Sequence, residues 1–189
     1  MSIRINDATL RHSSADEALR LREHLIPIYA ATHAHLIDQS WYAPETFWSR
    51  LTNMYAKARD FDLVTAWIGA DCIGYAFGSP RDGDSELWAQ LQAFFPDVEA
   101  SGPIYIFREF AVAPTHQRHG HGTRIHDELL RGRPEQIAHL LVRGDNEPAQ
   151  AAYRRWGWTH IGTKRPFENS PTFDAMALDL GDTTRSEAE

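Results

Sequence analysis

A chain of 189 residues, 42% hydrophobic and 24% charged, can bury a core without covalent staples, and its one cysteine, Cys72, excludes an internal disulfide and fits a reducing compartment. The formal charge of −7 argues against general nucleic-acid binding, which needs a basic surface, and is compatible with a cationic partner. No run reaches the ~18 apolar residues of a membrane span, and the opening M-S-I-R-I-N-D lacks the apolar core of a signal peptide, so a cytoplasmic protein with no membrane partner is expected.

In chain order, Ile3 to Leu10 reads as a short, partly alternating strand. Ser14-Ala15-Asp16-Glu17 has the S-x-x-E form of a capping box, opening a helix with Leu19, Leu21, Leu25 and Ile28 on its apolar face. Tyr29 to Tyr42 is rich in histidine and aromatics without a clear period. Pro44-Glu45 starts a second helix, carrying Phe47, Leu51, Met54 and Tyr55 at helical spacing. The period then becomes that of strands: Phe61 to Ile68 and Cys72 to Phe77 flank a Gly69-Ala70-Asp71 turn and read as a hairpin. Arg81 to Ser85 is a polar loop, Leu87 to Phe95 a short helix ending at Pro96, and Ile104 to Val112 a third long strand.

Ile125, Leu129 and Leu130 mark the next helix, which stops near Gly132 and Pro134; Ile137 to Val142 is a strand, and Asn146-Glu147-Pro148 opens a helix that Gly157 ends. Trp158 to Thr163 and Phe173 to Leu180 bring the count to about seven strands. Residues 1–180 therefore read as a single domain of the α/β (α+β) class, followed by a polar, mobile tail over 181–189.

The stretch Glu109 to Gly122, E-F-A-V-A-P-T-H-Q-R-H-G-H-G, is a strand running through a glycine turn into a helix whose spacing begins at Thr123. Such a junction suits a phosphate, because first-turn N–H groups lack intrahelical acceptors, glycines permit close approach, and the peptide dipoles favour negative charge. Gln117, Arg118, His119, His121 and Thr123 add side-chain donors. The alternative for this stretch alone is a tight turn with no ligand.

A second segment, N-E-P-A-Q-A-A-Y-R-R-W-G-W from Asn146 to Trp158, follows the strand after that helix. Together the two resemble the GNAT superfamily of acyl-CoA-dependent N-acyltransferases. The first motif of that family, Q/R-x-x-G-x-G/A, is matched by Gln117, Gly120 and Gly122, and the later one by Asn146, Ala149, Tyr153, Gly157 and Trp158. The resemblance implies a mixed sheet splayed at its middle between Ile104–Val112 and Ile137–Val142, with acetyl-CoA as acyl donor and an amine as acceptor; a homodimer is compatible with it. It further implies that Phe110, Ala111 and Val112 offer backbone groups to the pantetheine arm. The amides of Gln117, Arg118, His119, Gly120, His121, Gly122 and Thr123 would bind the pyrophosphate. Asn146 would hydrogen-bond the arm and Tyr153 would face the thioester sulfur as general acid. In the family the early helices form the acceptor wall, which places His33, His35, Trp41 and Tyr42 either against substrate or in ordinary packing.

The chemistry sets requirements of its own. An alkylamine of pKa about 10.4 is neutral roughly once in 2,500 molecules at pH 7, which corresponds to about 4.6 kcal/mol, so a base or a water chain is needed. Glu109 is the carboxylate on the third long strand, but alternation sets it on the face opposite Ile106 and Arg108, the positions where family members often carry a base. Glu109 is thus either the base or a structural partner for a basic group or helix end. The histidines at 116, 119, 121 and 126 have no cysteine or carboxylate cluster beside them, and no metal is expected. Cys72 lies away from both motifs, which favours direct transfer over a thiol intermediate. An acyl-CoA-binding sensor without catalysis is the alternative of a different class.

Overall fold

The computed structural model describes residues 8–183. Its first half contains β1 (Thr9–Ser13), α1 (Ala15–Ala18), α2 (Arg22–Thr32), α3 (Pro44–Asn53), β2 (Asp62–Ile68), β3 (Asp71–Asp82) and α4 (Ser85–Gln92). The second half adds β4 (Pro103–Val112), α5 (His121–Leu130), β5 (Ile137–Val142), α6 (Glu147–Arg155), β6 (Thr159–Lys164), β7 (Phe173–Asp179) and α7 (Leu180–Thr183). The seven strands follow the order β1-β2-β3-β4-β5-β7-β6, a mixed sheet in which β4 and β5 run parallel. The described residues form two compact units, 8–79 with 108–131 and 80–107 with 132–183. Among them no helix is long and apolar enough to cross a membrane.

In the first unit β1, β2 and β3 are antiparallel neighbours, with Leu10 beside Ala66 and Val64 beside Ala76. The strand expected over Ile3 to Leu10 is instead centred on Thr9–Ser13, and positions 3–7 of that expectation lie outside the described residues. Its polar sequence hides it, because an edge strand is held by its ladder to β2 rather than by apolar alternation. Ser14 donates from its backbone N–H to the Glu17 carboxylate at 2.8 Å, as the capping-box spacing predicts. Leu19 departs from expectation: the chain passes into a tight turn over Leu19–Leu21, leaving it 37% exposed, while Leu25 and Ile28 are buried. Met54, also expected on an apolar face, is exposed just after α3 ends.

The core of this unit is aromatic. Tyr29 of α2 stacks on Phe47 of α3 with ring centroids 4.1 Å apart, and Phe47 faces Tyr75 and Phe77 of β3 at 6.3 and 6.4 Å. Phe61, Leu63 and Ala111 close the same cluster. At the edge, His12 of β1 reaches Asp62 at 2.9 Å and Glu128 of α5 at 3.2 Å; burial lowers its pKa, but the bonds to these two carboxylates outweigh that and raise it overall.

The second unit buries Leu87, Trp88 and Leu91 of α4 with Ile104 and Ile106 of β4, Ile137 of β5 and Ala175 and Ala177 of β7. Tyr105, Ile106 and Phe107 lie beside Ala138, His139 and Leu140 in parallel register, and β7 pairs antiparallel with both β5 and β6. Several boundaries differ from the sequence reading. β3 continues beyond Phe77 to Asp82, into the polar loop expected over Arg81 to Ser85, and its side chains stay buried as far as Pro80. Helix α4 starts two residues early because Asp84 caps it, accepting from the Leu87 N–H at 2.8 Å, and it stops at Gln92, leaving Phe94 exposed. At the other end α7 takes up 180–183, while 184–189 of the expected mobile tail lie outside the described residues.

Gly74 in β3 shows how tightly the first unit is packed around β4. A Cβ there would stand 2.9 Å from the Ala111 carbonyl oxygen and 2.9 Å from Ile125 Cδ1 of α5. The carbonyl cannot move without disturbing the strand, so a side chain at this position forces strand or helix apart. Gly74→Ala is expected to lower stability by about 1–3 kcal/mol in urea unfolding; an unchanged midpoint would show that α5 can withdraw at no cost.

Candidate active site

The glycine turn belongs to the first unit. After β4 the chain makes one tight turn over Pro114–His116, and the Gln117 side chain donates back to the Val112 carbonyl at 2.9 Å, closing the loop on the strand that precedes it. Arg118 and Gly120 then adopt left-handed backbone, with φ of 63° and 81°. For Gly120 this costs little, whereas at Arg118 it costs roughly 1–3 kcal/mol. Left-handed residues within a turn are the backbone conformation from which anion-binding nests of N–H groups are built. α5 begins at His121, two residues earlier than the spacing suggests, so Gly122 and Thr123 lie in its first turn. The Arg124 N–H makes a helical bond to the Gly120 carbonyl at 3.2 Å, and the Arg124 guanidinium holds the Ala8 carbonyl at 2.8 Å.

The side chains of the turn divide in two. Gln117, Arg118 and His119 are exposed and His116 is half-buried, while His121 is 4% exposed and its Nδ1 has no hydrogen-bond partner among the described residues. Burial holds the His121 imidazole below its usual pKa, helped by Arg124, His116 and His119. The rings of His116 and His119 each lie 6.4 Å from that of His121. Among the described residues no group of three His, Cys, Asp or Glu side chains could hold a metal ion.

Glu109 also lies in the first unit. It shares a strand face with Ala111, two residues on, which packs in the aromatic cluster beneath α2 and α3. Burial pushes its carboxyl up to about 7, against the pull of the Arg50 guanidinium. The same carboxylate acts on three tyrosines. Tyr75 and Tyr29 are raised first by burial and then by Glu109, and Tyr55 is raised by burial, with Arg50 opposing and Glu109 adding. The Tyr75 hydroxyl is buried without a hydrogen-bond partner among the described residues. Arg50 is fixed from behind: its guanidinium lies 4.4 Å from the centre of the Trp41 ring and donates to the Trp41 carbonyl at 2.8 Å. The Arg108 guanidinium stands 5.2 Å over the ring of Tyr55. Of the expected acceptor-wall residues, His33 stacks between Tyr29 at 4.1 Å and Tyr42 at 5.8 Å, Trp41 carries Arg50, and His35 is exposed.

Asn146 and Tyr153 belong to the second unit. Asn146 caps α6, its side-chain oxygen accepting from the Ala149 N–H at 3.3 Å, and Pro148 occupies the first turn. Tyr153 is buried, with its ring edge-on to Phe107 at 6.3 Å, Trp158 at 5.8 Å and Trp156 at 5.9 Å. Gln150, one turn before it, donates to the carbonyls of Arg143 and Gly144 at 3.0 Å each and to Asp174 at 2.8 Å, fastening α6 to the loop that follows β5.

Tyr29, Arg50, Tyr55 and Tyr75 are the site residues that sequence reasoning misses. Each reads locally as core or as an ordinary helix position, and only the tertiary fold gathers them about Glu109. That gathering has a measurable consequence. The native carboxyl keeps its proton to about pH 7, whereas an unperturbed one loses it near 4.5, so the folded state binds more protons and stability falls as pH rises through that window. Glu109→Gln is expected to raise the Tm relative to wild type at pH 8, with the gain shrinking toward pH 5. An equal gain at both pH values would contradict a buried, proton-holding Glu109.

Comparison with known proteins gives the family and the fold. The model of the Acetyltransferase (GNAT) family matches residues 21–158. No curated protein matches the chain. Among solved structures, an acetyltransferase from Thermus thermophilus is similar with a TM-score of 0.65 at 14% identity, over 94% of this chain and 99% of that one. The ribosomal-protein-S18-alanine N-acetyltransferase of Escherichia coli gives 0.57 at 17% identity over 92% and 94%. The yncA protein of Salmonella typhimurium, solved with its cofactor acetyl-CoA, gives 0.56 at 15% identity over 93% and 95%. At such identities the likeness to these structures is one of fold.

Proposed function

Because the chain belongs to the GNAT family of acetyltransferases, which transfer the acetyl group of acetyl-CoA, we propose that its acceptor is an amine and that transfer is direct, with residues 1–180 acting as one catalytic domain. The observation that carries the reading is Glu109, a carboxyl whose burial among tyrosines brings its ionisation to about 7. A base is most effective when its pKa lies near the working pH, where it is deprotonated yet still able to take a proton. Glu109 takes the proton from the ammonium of the acceptor, directly or through one water, and gives it a route off the nitrogen, while the about 4.6 kcal/mol that an alkylamine faces at pH 7 stays part of the barrier.

The left-handed turn and the first amides of α5 hold the pyrophosphate of the donor, with Arg118 adding charge. The backbone of Phe110, Ala111 and Val112 lies along the pantetheine arm, and Asn146, whose oxygen is engaged by its own helix, offers its NH₂ group to the same arm. Tyr153 hydrogen-bonds the departing sulfur. A phenol of pKa about 10 stays neutral beside a thiol of about 8.5, so it donates a hydrogen bond first and passes its proton only as the sulfur leaves. Cys72 takes no part, since burial pushes its thiol up to about 11 and leaves little nucleophilic thiolate.

Thiol release from acetyl-CoA across a panel of small polyamines, amino acids and peptide amines, with mass spectrometry of the product, identifies the acceptor class. Tyr153→Phe is expected to lower kcat about 10²-fold with little change in KM for acetyl-CoA. Glu109→Gln is expected to remove the acid limb near pH 7 from the pH–rate profile. A Tyr153→Phe enzyme as fast as wild type on every amine would take Tyr153 out of the mechanism.

A further inference from the structure

The glycine turn carries three imidazoles, more titratable groups than anion binding alone requires. His121 opens α5 with its ring buried and its Nδ1 unpartnered among the described residues, and the rings of His116 and His119 each stand 6.4 Å from it. An uncompensated buried nitrogen costs free energy, which a ligand able to pair with it would relieve. We propose that binding of the pyrophosphate of the acyl donor at this turn is coupled to the uptake of one solvent proton by the His116–His119–His121 cluster. The inference rests on the phosphate-binding role given to the turn above.

Without ligand, every charge near His121 works against protonation. It sits at the positive end of α5, with Arg124 one turn along its own helix and His116 and His119 on the preceding turn. The carboxylates that could offset this are engaged elsewhere. On α5, Asp127 is paired with His126 at 2.8 Å and Glu128 with His12 at 3.2 Å; on β2, which packs against α5, Asp62 is paired with His12 at 2.9 Å. The surroundings therefore hold the His121 imidazole below its usual pKa. A dianionic pyrophosphate reverses the local field, and an opposite charge within about 4–6 Å raises a pKa by roughly 1–3 units. A protonated imidazole has two N–H donors and no acceptor, matching the oxygens of a pyrophosphate. Donor binding then tightens as pH falls, opposite in direction to deprotonation of the acceptor by Glu109.

Isothermal titration calorimetry with dephospho-CoA tests this, because that ligand carries the pyrophosphate but no phosphate monoester titrating near pH 6. Titrations at pH 7 in two buffers of different ionisation enthalpy are expected to show uptake of about half a proton, equivalent to a Kd about threefold tighter for each unit that the pH is lowered. His121→Gln and the exposed-site variant His119→Gln should each reduce the uptake, and the second keeps the test open if the first does not fold. Tight binding with no proton uptake in wild type, or uptake unchanged in His119→Gln and in a folded His121→Gln, overturns the coupling. Failure of wild type to bind either dephospho-CoA or CoA removes the phosphate-binding role of the turn itself, and the proposal with it.

Discussion

The structure depends on how the chain leaves β4 and enters α5. A strand must end, reverse and begin a helix within a short stretch, and it must do so without covering the first amides of that helix. Three features meet this constraint together. Gln117 returns a hydrogen bond to Val112, Arg118 and Gly120 take left-handed backbone, and Gly74 leaves room for Ile125 of α5 against the Ala111 carbonyl. Had Gly74 carried a side chain, α5 would be displaced from β4, and its positive end from the strand backbone that precedes it. A left-handed non-glycine residue such as Arg118 persists only where the surrounding structure over-determines it.

A second constraint is electrostatic. Glu109 is buried enough to ionise near neutrality, with Arg50 limiting how far burial can raise it. An acid shifted in this way lowers stability as the pH rises toward 7. Arg50 is in turn fixed by Trp41, so the segment between α2 and α3 shapes the surroundings of the carboxyl through a cation held against an indole. The stack of His33, Tyr29 and Phe47 makes the same region rigid. Tyr29 and Tyr75, whose rings help to close this core, are also tyrosines whose ionisation Glu109 opposes.

How much was legible can be judged from particular residues. The capping box at Ser14, the proline start of α3, β5, the cap at Asn146 and the glycine that ends α6 were all readable, because each is decided within a turn or two of chain. The misplaced β1 and the truncated β3 share another cause. β1 is polar and β3 runs through Gly78 and Pro80, so neither displays the apolar alternation of a strand, and their extent is set by pairing with β2 and by burial. Strand alternation set Glu109 on the face opposite Ile106 and Arg108, yet it could not say what that face meets.

By itself the sequence determined the local structure of this protein: the order of strands and helices, the glycine turn between β4 and α5, and the pair of motifs that resemble those of GNAT acetyltransferases. These follow from steric and hydrogen-bonding rules acting over a few residues. Only the tertiary structure decided that Tyr29, Arg50, Tyr55 and Tyr75 surround Glu109 and that His121 is buried with an unpaired nitrogen. Burial and electrostatic coupling depend on distances between residues far apart in the chain, and those distances exist only once α2 and α3 have packed on β3 and β4.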